Sequence, residues 1–178
     1  MNSFSNLEWL QDPGINPVSI LYPFDLISEK AQEVSLRNNS KLAKLYDTQA
    51  KERLSEIISI CGHAQEQIHL ISLQNSYKEY SKNMMTLAKK DRSKNVRIAL
   101  REWIEKLIEH KYIIAVEFHE AFKNCQKDTL IELVNFIDRA YSEIINHTNI
   151  SDDHLFFKKD EALWIWEIAI ESEFSKEK

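Results

Sequence analysis

The sequence predicts an all-α protein, an antiparallel helical bundle built from long amphipathic helices. Three observations carry that expectation. Ala50, Leu54, Ile57, Cys61, Ala64, Ile68 and Ile71 recur at alternating four- and three-residue steps. That is the spacing of one narrow stripe on a helix, and such a stripe needs another helix or an apolar surface against it. The chain has two glycines and three prolines, and Gly14 and all three prolines fall within the first 23 residues. A β-rich fold would need many tight turns and has no residues from which to build them. Finally, 43% of the 178 residues are hydrophobic and 29% charged, a globular composition in a chain long enough to bury one core. The expected organisation is a single domain over 1–178, with an irregular segment holding a short helix at 1–23 and the bundle over 24–178.

At the start, Ser5 and Glu8 have capping-box spacing and Leu7, Trp9 and Leu10 make a short helix amphipathic. The run DPGINP (12–17) ends it, and Ile20, Leu21, Tyr22 and Phe24 are expected to tuck onto the core. The residue before Pro23 is biased away from helix, so the first long helix should begin near Phe24 or Asp25 and extend to about Asn75. Leu36–Ser40, where RNNS is a poor helix former, is a candidate break. Lys51, Glu52, Arg53, Glu56, Gln65, Glu66 and Gln67 form its expected wet side. A second segment spans Tyr77 to Ala88, and KKDRSKN (89–95) reads as a loop. A third long helix then carries Val96, Leu100, Trp103, Leu107, His110 and Ile114 on one face and could continue to Cys125. The stripe helix over 50–71 is expected to pack antiparallel against it. Thr129 and Glu132 have capping-box spacing for a fourth helix with Leu130, Leu133, Val134, Ile137, Tyr141 and Ile144 on its dry face. In the last helix Leu163, Trp166, Ile170 and Phe174 share a side that Trp164 and Ile168 widen. Trp164 and Trp166 point about 160° apart on a helix, so one of them is a candidate interface residue.

Charge and composition remove several function classes. A net charge of −5 argues against a general nucleic-acid binder. The exception is local: between Lys82 and Arg101 the basic residues Lys82, Lys89, Lys90, Arg92, Lys94, Arg97 and Arg101 face the single acid Asp91. The bland account is a solvated inter-helix loop; the sharper one is a phosphate or anionic-surface site. No apolar run approaches the roughly 18–20 residues that span a bilayer, and the N-terminal residues have no signal-peptide pattern. Cys61 and Cys125 sit on apolar stripes, which reads as reduced core cysteines in a cytoplasmic protein. With two glycines, neither a Walker loop nor a G-x-G-x-x-G turn is possible. Glu66 and His69 make one E-x-x-H without the second copy that a di-iron bundle requires.

One carboxylate set invites a chemical reading. Glu117-Phe-His-Glu120 is followed twelve positions later by Glu132-Leu-Val-Asn135. Glutamates one turn apart on neighbouring helices can converge on a hard divalent cation. The spacing resembles the E-x-x-E…E-x-x-D signature of MazG-type all-α nucleoside triphosphate pyrophosphatases. That resemblance implies a Mg²⁺ cofactor held by Glu117, Glu120 and Glu132. Asn135 stands where the family has aspartate, and Asp138 lies one turn later. The competing account of these residues is a set of solvated helix faces.

A second resemblance covers residues 38–88. The stretch KLAKLYDTQAKERLSEIISICGHAQEQIHLISLQNSYKEYSKNMMTLA is a Gly-poor amphipathic run with a Gln-rich middle and an L-Q-x-x-Y close. It resembles the helical region of phasins, the proteins that coat polyhydroxyalkanoate granules. The resemblance implies a non-catalytic helical protein that self-associates and lays an apolar face on a hydrophobic granule. With no coherent catalytic set in the sequence, the leading expectation is a non-enzymatic interaction or scaffolding protein. It would act through apolar helix faces on itself, a protein partner or a granule-type surface. The interaction residues expected are Ala50, Leu54, Ile57, Cys61, Ala64, Ile68, Ile71, Trp164 and Trp166, with the pyrophosphatase as the alternative.

Overall fold

Helices account for nearly all of the fold because the sequence after Pro23 offers an apolar stripe in every long segment and almost nothing that breaks a helix. The computed structural model describes residues 19–61, 69–120, 127–148 and 153–174, with side chains outside 117–120 and 172–174. The elements are α1 (Tyr22–Ser35), α2 (Asn39–Cys61), α3 (Leu70–Lys90), α4 (Lys94–Glu120), α5 (Lys127–Thr148), a 3₁₀ turn (Asp153–Leu155) and α6 (Phe156–Phe174), with no strand among the described residues. α1 carries Pro23 in its first turn, where the missing N–H costs nothing. The expected break at Leu36–Ser40 is present and narrows to residues 36–38, and there Asn38 Oδ1 accepts the N–H groups of Ser40 (2.9 Å) and Lys41 (3.1 Å) to cap α2. The expected helix to Asn75 is therefore interrupted, and its last residues open α3. The loop foreseen at 89–95 contracts to residues 91–93, where Ser93 caps α4 through the Val96 N–H at 3.4 Å.

Paired residues give the helix directions. Asn39 Nδ2 donates to Asp91 Oδ2 (2.8 Å), and the rings of Tyr46 and Tyr80 stack 6.4 Å apart, so α2 and α3 are antiparallel. Tyr77 meets His110 across the tight α3–α4 turn, making that pair antiparallel too. Gln74 reaches Thr129, Lys78 reaches Glu132 and Lys89 reaches Glu143, so α3 and α5 run the same way. α6 lies on α4, with Lys158 bonded to Glu105. The expected antiparallel packing of the 50–71 helix on the 96–125 helix is corrected: α2 and α4 are parallel, because α3 runs against both.

The core comprises the dry faces of α2 to α5, with Trp103 its largest fully buried side chain. The stripes expected on α4 and α5 are buried at every named position. Ala50, Leu54, Ile57 and Cys61 are buried in the interior as well, whereas Ile71 is exposed and Ala64 and Ile68 lie outside the described residues. Ile20, Leu21 and Phe24 do not tuck onto the core; all three are exposed, and only Tyr22 packs against it. The dry face of α6 is Ala162, Trp166 and Ala169, with Leu163 exposed at its edge. Cys61 is disulfide-bonded, which corrects the expectation of reduced cysteines; Cys125 lies outside the described residues. Disulfides persist in oxidising surroundings, so the cysteines no longer argue for a cytoplasmic location. Among the described residues no helix is long and apolar enough to cross a membrane.

Candidate interaction site

α1 is an amphipathic helix docked the wrong way round. Phe24, Ile27, Ala31 and Val34 follow a three-four-three step and form one stripe, which Ile20 extends just before the helix. At ~100° per residue, Tyr22, Glu29 and Glu33 lie on the opposite side of the same helix. It is this polar side that meets the bundle. Phe24 is 69% exposed and Ile27 65%, with Ala31 and Val34 also open to solvent.

The docking is made by a buried cluster centred on Arg53 of α2. Its side chain is 0% exposed, although the sequence places it on the wet side of the stripe. One guanidinium nitrogen donates to Glu29 Oε1 of α1; the other pairs with Glu56 Oε2 at 2.9 Å and donates to the Tyr22 hydroxyl. Tyr22 donates in turn to Glu56 Oε2 at 3.1 Å, and its ring lies 5.4 Å under the guanidinium. Tyr80 of α3 donates to the second oxygen of Glu29 at 2.7 Å. One turn along, Tyr46 of α2 donates to Glu33 Oε1 at 2.8 Å. Arg53 Nε and Glu56 Oε1 are buried with no hydrogen-bond partner among the described residues.

The electrostatics are those of one cation shared by too many carboxylates. Burial pushes the Glu56 carboxyl up to about 8; Arg53 and the Tyr22 hydroxyl pull it back, and Glu29 and Asp25 push it further. Glu29 is also raised by burial, against Arg53 and Tyr80, and Glu52 rises through burial and the nearby Glu29 charge. Burial lifts the Tyr22 and Tyr80 hydroxyls above their ordinary value, so both remain donors at neutral pH. α1 is therefore held by ion pairs and tyrosine hydrogen bonds, and its apolar stripe contributes nothing to the attachment.

A second open apolar face lies on α6. Trp166 is 7% exposed and buried on α4, whereas Trp164 is 60% exposed and stands in a row with Phe157 and Ile168. The two tryptophans thus separate as their angular spacing requires. Between α4, α5 and α6 a cleft of about 250 Å³ is lined by Leu107, Ile108, Tyr141 and Leu163. Lys111 and Asp138 close its polar edge, with Lys111 Nζ 2.9 Å from both carboxylate oxygens.

That pairing bears on the carboxylate set. Asp138 is bound by Lys111 and Glu132 by Lys78 at 2.7 Å, each from a different helix. The Glu117 and Glu120 side chains lie outside the described ones. Among the described residues no group of three or more His, Cys, Asp or Glu could hold a metal ion. His110, on the α4 stripe, is a core residue: its Nδ1 lies 2.9 Å from the Tyr77 hydroxyl and Trp103 packs edge-on at 5.8 Å. Burial, reinforced by Lys106 and Lys51, pulls its imidazole down to about 3 and keeps it neutral.

The sequence reading missed the Arg53 cluster. The Phe24–Val34 stripe was legible as a three-four repeat, but nothing local tells which side of a short helix will meet the bundle. No protein-family model, curated protein or solved structure matches this chain.

Proposed function

We propose that this protein is a non-enzymatic interaction module that binds a protein partner, or a second copy of itself, through outward apolar helix faces, the α1 face first. The observation that carries this reading is the inverted docking of α1. Isolated exposed apolar residues are ordinary, but a continuous stripe on a helix anchored by buried charges is not. Folding alone would favour turning Phe24, Ile27 and Val34 inward, by roughly 1–3 kcal/mol per large side chain. Their outward placement supports a helix-in-groove or helix-pair contact with anchors at three- and four-residue spacing. The open row Phe157, Trp164 and Ile168 is a second candidate face. Of the interaction residues expected from sequence, Trp164 remains in this role; Ala50, Leu54, Ile57 and Cys61 hold the core.

The phasin resemblance stays within this proposal. Its described residues fold mostly into α2 and α3, whose apolar faces are turned to the interior, so a granule-type surface would have to meet α1 or α6. Light scattering of the full chain over a range of concentrations, with capture of partners on immobilised protein, tests the reading. A mass above one chain or a captured partner, abolished by Phe24→Asp with Ile27→Asp while the far-ultraviolet circular dichroism is unchanged, is expected. A strict monomer that captures nothing and binds no hydrophobic dye would overturn it.

A further inference from the structure

Several basic residues elsewhere in this acidic chain are matched by carboxylates on neighbouring turns or helices. Lys78, Lys89, Lys106, Lys111 and Lys158 each pair with a Glu or Asp. The turn between α3 and α4 instead gathers four cations at one place. Arg92, Lys94, Arg97 and Arg101 are all exposed, and none forms an ion pair among the described residues. With Ile98 as an apolar floor, these four alone line a depression of about 360 Å³. Arg92 and Arg97 also border an adjoining depression of about 220 Å³ with His147 and Thr148. Its one carboxylate, Asp91, is engaged by Asn39 Nδ2 at 2.8 Å and by the Ser93 N–H at 2.8 Å.

The position of these cations is unfavourable for the fold itself. Lys94 and Arg97 lie in the first turn of α4, which holds no acidic residue, so they sit at the positive end of the helix dipole. Cations there oppose folding, and no intramolecular partner offsets the cost. From Lys94 to Arg101 the charges advance about 10 Å along one helix side at three- and four-residue steps. Such a row suits several phosphates close together better than one. Arginine forks bind phosphate oxygens two at a time, and three of the four residues are arginine. The depression has no exposed aromatic side chain on which bases could stack, and Trp103, two residues beyond Arg101, is buried.

We propose that the α3–α4 turn is a binding site for clustered phosphate groups, held by Arg92, Lys94, Arg97 and Arg101. The phosphates belong either to a soluble polyphosphate or to a multiply phosphorylated lipid headgroup. This site is separate from the apolar α1 face and does not depend on it.

Calorimetric titration of the full chain with sodium tripolyphosphate at low ionic strength tests the first source. Co-sedimentation with phosphatidylcholine vesicles containing phosphatidylinositol bisphosphate tests the second, with phosphatidylserine vesicles of equal charge as the comparison. Binding in either arm is expected to weaken about twentyfold in Arg97→Glu/Arg101→Glu. Arg139→Glu/Lys159→Glu makes the same change in net charge on α5 and α6 and should leave binding within about twofold of the parent. No binding of tripolyphosphate or of bisphosphate vesicles would overturn the proposal. So would equal binding to phosphatidylserine vesicles, or equal weakening by both double variants.

Discussion

At the residue scale Arg53 is the most consequential side chain outside the apolar core. A buried ion pair adds little over an apolar replacement, yet removing one partner leaves a desolvated charge and costs about 3–5 kcal/mol. Arg53→Met strands the Glu29 carboxylate and should lower stability by about that amount, measured by urea denaturation. Adding Glu29→Gln should recover a large part of the loss, because no unpaired buried carboxylate then remains. Two titrations act with opposite sign. His110 has an ordinary value of 6.5 and a folded value of about 3, so the unfolded chain binds the extra proton and stability is lost as pH falls from 6.5 towards 3. Glu56 has an ordinary value of 4.5 and a folded value of about 8, so the folded chain holds the extra proton and stability is lost as pH rises from 4.5 towards 8. Their sum is a plateau between pH 4.5 and 6.5 with a decline on each side. In a pH series of denaturation curves, His110→Gln should flatten the acidic limb and Glu56→Gln the alkaline one. An unchanged profile in both variants would sink this assignment.

At the element scale α1 and α2 should respond in opposite ways to the same chemistry. Leu54 is fully buried, and Leu54→Asp places a charge in the core and should unfold the chain. Phe24→Asp with Ile27→Asp touches only the open stripe and should change stability by no more than about 0.5 kcal/mol per site. Urea denaturation separates the two outcomes, and a hydrophobic dye should lose binding only with the α1 variant. α6 offers the same contrast within one turn. Trp166→Ala should cost about 3–5 kcal/mol and Trp164→Ala close to nothing, read from the same denaturation experiment. The separation of the two tryptophans was legible from angle alone. Which of them the core would take depended on Ala162 and Ala169, whose small side chains let α6 approach α4 closely.

At the scale of the whole molecule the disulfide at Cys61 and the lysine-bound carboxylates set the remaining expectations. Reduction with a thiol should lower the melting temperature, in line with the roughly 2–4 kcal/mol that a cross-link contributes. Millimolar Mg²⁺ or Mn²⁺ should leave it unchanged, because Lys78 and Lys111 already neutralise Glu132 and Asp138. A rise of several degrees, abolished by Glu120→Gln, would instead favour the pyrophosphatase alternative.

The sequence alone determined the helices. Periodic apolar residues and the scarcity of Gly and Pro are local properties, and they specified an all-helical chain and the dry faces of α4 and α5, but not where one helix ends and the next begins between Tyr22 and Lys90. The tertiary structure alone decided which helices are neighbours and which way α1 faces. Helix direction follows from where the chain turns, and α3, beginning at Leu70, placed α2 and α4 parallel. The orientation of α1 follows from a competition between burying Phe24, Ile27 and Val34 and pairing Glu29 and Tyr22 with a guanidinium on another helix. That competition is between residues more than twenty positions apart, so no reading of the local pattern could have settled it.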